Sequence, residues 1–352
     1  MKILITGICG FVGVSIAKTL LQSYPNLQIV GLDNFSRKGS EVNIPTLTNL
    51  GINLIRGDIR SQSDTNALPK VDWVIDCAAN PSVLAGLDSK SSSRQLIEHN
   101  LIGTINLLEY CKKDKVGLIL LSTSRVYSAS ELAALPVESS GQRFELSDCD
   151  VDGVSTFGIS ESFPITAPLS LYGASKRASE ILILEYGECF DFPVWINRCG
   201  VLAGAGQFGR ADQGIFSFWI HSFKEKNALK YIGFEGTGNQ VRDALHPKDL
   251  IPLLTRQIFE PNWDVPKIIN VGGGIENSMS LKELSDWCEK RFGPNKVVSS
   301  LEERPMDAPW IVMDSSVAQN AWNWSVQSRL EQILEEIADH ADQNPNWLSL
   351  TN

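Results

Sequence analysis

A phenol and an ammonium stand four residues apart in the stretch "LYGASKRASE", as Tyr172 and Lys176. Residues i and i+4 of a helix share a face, so the pair is either an ordinary surface contact or a proton-transfer device. A free tyrosine titrates at roughly 10 and is a poor base at neutral pH, but a neighbouring cation stabilises the phenolate and lowers that value. A second source of polar chemistry lies upstream. The apolar run "LLSTSRVY" ends in the hydroxyls Ser122, Thr123 and Ser124. Ligand sites of open parallel sheets form at the C-terminal ends of strands, where such a hydroxyl can bond a substrate oxygen.

These groups need elements to hold them. "KILIT" (Lys2 to Thr6) reads as a buried strand. It runs into "GICGFVG", which spaces Gly7, Gly10 and Gly13, and then into the helical pattern "FVGVSIAKTLLQ". Gly7 permits a tight turn, Gly10 lets backbone N–H groups approach a pyrophosphate at the helix N-terminus, and Gly13 lets the helix lie close on the sheet. A second strand, "LQIVGLD", ends in Asp33. A carboxylate there accepts from adenosine ribose hydroxyls and repels a 2′-phosphate, which favours NAD over NADP. Arg37 and Lys38 follow in "NFSRKGS" and are the feature that argues the other way, but Asp33 at the strand end carries more weight.

The rhythm continues with the strand "INLIRGD", ending in Asp58, and "VDWVIDCAAN", ending in small residues that allow close approach of a ligand. A helix around Gln95 to Lys112 leads to the fifth strand, "VGLILLSTS". Strands alternating with helices predict an α/β fold, a Rossmann-like doubly wound parallel sheet with a smaller C-terminal substrate-binding lobe. The stretch from Ser128 to Pro168 is weakly patterned and rich in Ser, Asp, Glu and Pro; it reads as an extended excursion over the active-site side.

Composition narrows the function. The chain has 352 residues and a formal charge of −10, which argues against nucleic-acid binding; an anionic small substrate would need local arginines. No apolar run is long enough to span a bilayer, and "MKILITGICG" does not read as a signal peptide, so the expectation is a cytoplasmic chain with no membrane partner. The seven cysteines are odd in number, scattered and without CxxC, which fits reduced thiols. The four histidines are far apart, and no metal site is expected.

Gly7/Gly10/Gly13, Asp33, Thr123 and Tyr172-x-x-x-Lys176 together resemble the extended short-chain dehydrogenase/reductase family, and within it the nucleotide-sugar epimerases. The resemblance implies NAD as cofactor, Tyr172 as acid/base, Lys176 as the group that binds the nicotinamide ribose and acidifies the phenol, and Thr123, with Ser124 as fallback, as the hydroxyl that orients the reacting oxygen. The implied cofactor contacts are Gly7, Cys9, Gly10, Phe11, Val12 and Gly13 in the first turn, and Asp33, Asn34, Ser36 and Arg37 after the second strand. Asp58, Ile59, Ala78, Ala79, Asn100, Tyr172 and Lys176 complete that set. "GTGNQVRDALHPKDL" and "ERPMDAPW" resemble substrate segments, with Arg242 and Arg304 toward the pyrophosphate and Asp307 toward the ribose. "GRADQGIFSFW" puts Asp212 and Gln213 in the sugar pocket and is similar to enzymes that act at C2 of a CDP-activated deoxysugar, so a CDP-sugar is the favoured substrate.

The family's cofactor domain is discontinuous, which suggests residues 1–203 and 243–273 for it and residues 204–242 and 274–345 for the substrate lobe, with the active site in the cleft between them. The family often pairs through helices corresponding to Gln95–Lys112 and Tyr172–Gly187, which implies a homodimer or homotetramer. Three local features depart from the pattern: "YSAS" replaces a tyrosine-glycine turn, Asp76 stands where the family has a histidine, and the excursion is long. Related dehydratases carry Asp-Glu directly after the catalytic threonine; Ser124-Arg125 here argues against dehydration. A 4-epimerase, a reductase on the same scaffold and a non-catalytic dinucleotide sensor remain the alternatives.

Overall fold

The apolar runs fold as strands, and the periodic segments between them as helices. The structure is a computed structural model that describes residues 1–87, 92–147 and 150–351. In chain order its principal elements begin with β1 (Lys2–Thr6), α1 (Phe11–Ser23), β2 (Gln28–Asp33), β3 (Asn53–Arg56), β4 (Trp73–Asp76), α2 (Gly103–Asp114) and β5 (Gly117–Thr123). They continue with β6 (Val137–Ser139), β7 (Phe144–Leu146), α3 (Leu171–Phe190), β8 (Val194–Cys199), α4 (Ile215–Lys224), β9 (Leu229–Tyr231), β10 (Val241–Leu245) and α5 (Ile251–Phe259). The last are β11 (Ile268–Val271), β12 (Ser278–Ser280), α6 (Leu281–Phe292), β13 (Val297–Ser299), β14 (Trp310–Ile311) and α7 (Leu330–Gln343). The contact pattern divides the chain into two units. The first is Met1–Thr123, Leu171–Arg198 and Pro247–Ile269; the second is Ser124–Ser170, Cys199–His246 and Asn270–Asn352.

The first unit is built on a seven-stranded sheet in the order β11-β8-β5-β4-β1-β2-β3, with β1 to β5 paired in parallel. This is the expected Rossmann-like, doubly wound α/β sheet. Strand order reverses between β1 and β4, the switch point at which such sheets leave a crevice at their C-terminal edge. Register there sets Thr6 opposite Asp76. All seven residues of β5 are buried, because a central parallel strand is covered on both faces. On one face Leu4, Val74, Leu118 and Leu120 pack with Leu107, Leu108 and Cys111 of α2 and Ile183 of α3. The helix expected around Gln95 to Lys112 is one helical run that widens into a π turn over Glu98–Ile102 before α2.

The second unit has two cores. Phe216, Trp219, Ile220 and Phe223 of α4 pack with Leu284 and Cys288 of α6 and Ile333, Leu334 and Ile337 of α7. The other core gathers Tyr127, Leu132, Leu135, Ile159 and Phe163 with the run Trp310 to Met313. Its sheet centres on β10, which pairs antiparallel with β12 and parallel with β14 and with Val201–Leu202. Ser128 to Pro168, the weakly patterned stretch, carries short elements that its composition did not reveal. It holds a short helix, Ala129–Ala133, the hairpin β6–β7 and a tight hairpin of Val154–Ser155 with Gly158–Ile159. These strands are two or three residues long, too short for alternation to register. Residues 148 and 149 of this stretch lie outside the described residues. The six described cysteines are free thiols, no described helix is long and apolar enough to cross a membrane, and no metal-ligating cluster occurs among the described residues.

Asp243 on β10 is fully buried in the second unit. Its Oδ2 accepts from the Gly274 and Met313 N–H groups, each at 3.3 Å, while Oδ1 has no partner. Burial outweighs those bonds and pushes the carboxyl up to about 6. A Cβ at Gly272 would sit 2.3 Å from Oδ2, so the site tolerates no larger residue there. Because the folded state holds this proton more tightly than the unfolded chain, ionising Asp243 removes stability as pH rises from roughly 4 through 6. Chemical denaturation of wild type and Asp243→Asn at pH 4 and pH 7 should therefore show wild type losing on the order of 3 kcal/mol relative to the variant; parallel pH profiles would contradict this.

Candidate active site

The glycine turn of the first unit is a cradle with little room for side chains. Gly7 has φ 61°, and a Cβ there would meet the backbone of Ala78 at 3.0 Å. A Cβ at Gly13 would lie 2.4 Å from the Gly7 carbonyl. Gly10 caps α1 with no side-chain bond, and the first turn of α1 carries no acid, so its N–H groups are available to an anion. Asp33, at the end of β2, ties this turn in place: Oδ2 accepts from the Cys9 N–H and Oδ1 from the Phe35 N–H, both at 2.8 Å. Burial raises the Asp33 carboxyl, and those backbone bonds pull against it. The Cys9 thiol is pushed up to about 12 by burial, then by Asp33, so Cys9 contributes its backbone and not its sulfur. Phe11 is buried, and Val12 follows it in the first turn.

The other expected cofactor residues fall around the same edge of the sheet. Asn34 Nδ2 donates to Asp58 Oδ2 at 3.0 Å, and Asn34 Oδ1 accepts from the Ser36 N–H at 2.9 Å. Burial would raise Asp58, but the Arg60 ion pair at 2.6 Å and the Asn34 bond prevail and hold it at about 2. Arg37 is half-buried, Ile59 is buried, and Ala78 and Ala79 follow the end of β4. Asn100 sits in the π turn; its Oδ1 accepts from the Asn80 N–H at 2.8 Å and its Nδ2 donates to Asn80 O and Ser175 Oγ. A glycine cradle, an uncapped helix N-terminus and a carboxylate at the β2 end match a pyrophosphate and a ribose, so the residues present fit a dinucleotide.

Tyr172 and Lys176 share the inward face of α3 and are 8% and 2% exposed, which rules out a surface pair. Tyr172 packs on Ala85 and Leu96. Lys176 is within electrostatic reach of Asp76 at the end of β4; burial raises that carboxyl, and the lysine charge and the Thr6 hydroxyl, 2.5 Å away, lower it. One turn beyond Lys176, Glu180 is fully buried. It accepts from Ser122 Oγ at 2.6 Å, from Arg198 Nε and Nη2 at 3.0 and 2.8 Å and from Arg177 Nη1 at 3.1 Å. The carboxylate thus fastens α3 to β5 and β8 one residue before Thr123. Spacing alone exposes Glu180, which continues the Tyr172–Lys176 stripe by four; Arg198 and Asp76, far away in sequence, carry no such signal.

In the second unit Asp212, Gln213, Arg242, Arg304 and Asp307 come together in one cavity of about 140 Å³, with Gln240 and Arg125 also in its lining. Arg242 Nη2 donates to Asp307 Oδ1 at 2.7 Å and to the Ala308 carbonyl at 2.9 Å. Asp307 Oδ2 and Gln240 Oε1 are buried acceptors with no partner. Gln240 Nε2 donates to the Ile232 carbonyl at 3.2 Å, which fixes the amide so that oxygen is the atom left over. Guanidiniums beside unsatisfied acceptors suit a ligand that has both anionic oxygens and hydroxyl or amino donors. Gln240 could have been found from its position two before Arg242, since alternate residues of an extended segment share a face.

If Glu180 serves to set the Thr123 hydroxyl against α3, Ser122→Ala should lower kcat about tenfold at nearly constant KM while costing only about 1 kcal/mol of stability. A Ser122→Ala enzyme with full turnover would reduce the network to a packing device.

The sequence pattern of the NAD dependent epimerase/dehydratase family matches residues 3–272. A CDP-paratose 2-epimerase of Salmonella typhi is 29% identical over 344 residues, covering 96% of this chain and 98% of that protein. A trifunctional UDP-glucose 4,6-dehydratase/UDP-4-keto-6-deoxy-D-glucose 3,5-epimerase/UDP-4-keto-L-rhamnose-reductase of Arabidopsis thaliana is 26% identical over 354 residues, 98% of this chain and 48% of that one. The crystal structure of UDP-glucuronic acid 4-epimerase from Bacillus cereus, in complex with UDP-glucuronic acid and NAD, superposes with a TM-score of 0.80 at 26% identity over 97% of this chain and 99% of that chain. A glycine cradle, a carboxylate at the β2 end and a buried phenol–ammonium pair, within a match this long, have one explanation: the chain belongs to the NAD dependent epimerase/dehydratase family and is an enzyme with NAD as its cofactor.

Proposed function

We propose that the protein is an isomerase that inverts one carbon of a nucleotide-activated deoxysugar, converting CDP-paratose to CDP-tyvelose at C2. The observation that carries the acid/base chemistry is the buried Tyr172–Lys176 pair on a helix clamped next to Thr123. Support for a nucleotide sugar comes from the second unit's cavity, where Arg242 and Arg304 suit a pyrophosphate and the unpartnered Asp307 Oδ2 suits a ribose hydroxyl. The CDP-deoxysugar assignment rests on the likeness to the Salmonella typhi enzyme and on Asp212 and Gln213 in that lining. A UDP-sugar 4-epimerase is the second reading, favoured by the likeness to the Bacillus cereus structure.

Tyr172, as phenolate, takes the proton from the reacting sugar hydroxyl. Lys176 keeps that phenolate affordable in a buried place by supplying positive charge. Thr123 holds the reacting oxygen throughout, with Ser124 next in line. Bound NAD supplies the acceptor, and then the donor, of the hydride at the sugar carbon, so the cycle has no net redox change. Tyr172 returns the proton when the opposite face of the ketone has been reduced. Arg242 and Arg304 keep the nucleotide anchored while the sugar turns. Asp33 and the Gly7–Gly13 turn hold the dinucleotide between cycles.

Protein denatured after purification should release about one NAD per chain, and NMR of the product should show inversion with CDP-paratose and not with UDP-glucose; inversion of UDP-glucose alone would transfer the assignment to the 4-epimerases. Tyr172→Phe should lose turnover by about a thousandfold with little change in substrate binding. Near-normal turnover in that variant would remove Tyr172 from its role.

A further inference from the structure

One loop of the second unit carries two residues of the cavity lining, Asp212 and Gln213. Its tip is a tight turn: the Arg210 N–H donates to the Gln213 carbonyl at 2.7 Å, and the Gln213 N–H donates to the Arg210 carbonyl at 3.1 Å. The turn therefore moves as one piece, and its placement depends on what holds the ends of the loop. Both ends meet at Gln207, which is 8% exposed. Its Nε2 donates to the Leu202 carbonyl at 2.7 Å, behind the loop. Its side chain lies against Gly214 at the far end, where a Cβ would come within 3.1 Å of the Gln207 amide carbon. Gly214 has φ 72°, and α4 starts at the next residue.

The Gln207 carbonyl is held in turn from a distant part of the chain. It accepts from the Gly209 N–H at 2.9 Å and Ser217 Oγ at 2.8 Å, both local, and from Trp347 Nε1 at 3.0 Å, 140 residues away in sequence. The Trp347 ring also stacks on Phe208, with centroids 5.4 Å apart and planes 12° from parallel. Trp347 is buried, so its N–H cannot fall back on water. Under the indole, His340 of α7 meets it edge-on at 4.5 Å, and His340 Nδ1 lies 3.3 Å from Nε2 of His221 on α4. Burial lowers both imidazoles, so the floor on which the indole rests is uncharged at neutral pH. One side chain thus grips two consecutive residues of the loop, Gln207 by a hydrogen bond and Phe208 by a ring stack. A tryptophan that only filled space beside α4 and α7 would need neither contact.

We propose that Trp347 is a positioning residue that fixes the loop of residues 207–214, and through it sets Asp212 and Gln213 against the sugar of the substrate. This rests on the nucleotide-sugar reading and deepens it, because sugar recognition then depends on a side chain that is not itself in the cavity lining. Arg242, Arg304 and Asp307 come from other segments, so the anchorage of the nucleotide does not depend on Trp347.

The test compares NAD-loaded wild type, Trp347→Ala and Trp347→Phe by hydrogen exchange and by kinetics. In Trp347→Ala the amides of residues 207–214 exchange at least about tenfold faster, with rates around Arg242 and Asp307 unchanged. Its KM for CDP-paratose rises at least about tenfold with a smaller change in kcat, while the inhibition constant of CDP, which lacks the hexose, stays within about twofold. Trp347→Phe keeps the stack and loses the N–H, so both effects shrink to about threefold; this milder variant carries the comparison if the alanine one does not fold. Unchanged exchange in the loop, equal acceleration across all the cavity walls, or a KM and a CDP constant that rise together would overturn the proposal and leave Trp347 as a packing residue. A wild-type protein that neither turns over CDP-paratose nor binds CDP would remove the nucleotide-sugar reading instead, and the exchange rates would still decide whether Trp347 holds the loop.

Discussion

A buried carboxylate organises the part of the first unit that holds Tyr172, Lys176 and Thr123. Glu180 takes hydrogen bonds from a serine on β5 and from arginines on β8 and α3, with no exposure to water. An ion pair of this kind contributes little net stability, since desolvation offsets most of the Coulomb gain. Its value is geometric. Removing Arg198 would leave the buried carboxylate poorly compensated, so placements of α3 that break this pair are disfavoured. Lys176 and Tyr172 are one and two turns away on the same helix, and Thr123 is one residue from Ser122. The positions of phenol, ammonium and hydroxyl all descend from that one clamp.

A second layer of polar stitching supports it. Ser175 and Ser179 on α3 bond to Asn100 and Thr104, so the helix sits close against the π turn. Only small side chains permit this approach, which explains why α3 buries Gly173, Ser175 and Ser179 where a packing helix would ordinarily bury leucines. On the other side of the switch point, Thr6 and Asp76 face each other across β1 and β4 beside the lysine. Asp76 is thus a buried acid coupled to the Lys176 charge, and it forms part of the charge environment of the phenol–ammonium pair.

The second unit also gathers buried charge and polar atoms around one cavity. Arg242 and Asp307 neutralise each other, yet Asp307 retains one acceptor and Gln240 another, both buried and unpartnered. Such atoms cost free energy in a closed protein unless a ligand satisfies them. Their presence in the lining, together with Arg304 and Arg125, marks the cavity as built for something that brings both anionic oxygens and donors.

Local pattern in the sequence determined the sheet, the glycine turn, Asp33 and the Tyr172–Lys176 stripe. Each of these depends on residues within about one helical turn or one strand of each other, where periodicity and turn chemistry act directly. Sequence could not resolve the hairpins of residues 128–168, because strands of two or three residues are shorter than the pattern that would reveal them. Nor could it join Glu180 to Arg198 and Ser122, set Asp76 beside Lys176, or gather Arg125, Gln240 and Arg304 around one cavity. Those groupings bring together residues tens to nearly two hundred positions apart. Burial and pairing of charge decide them, and both are properties of the folded chain that no local pattern encodes.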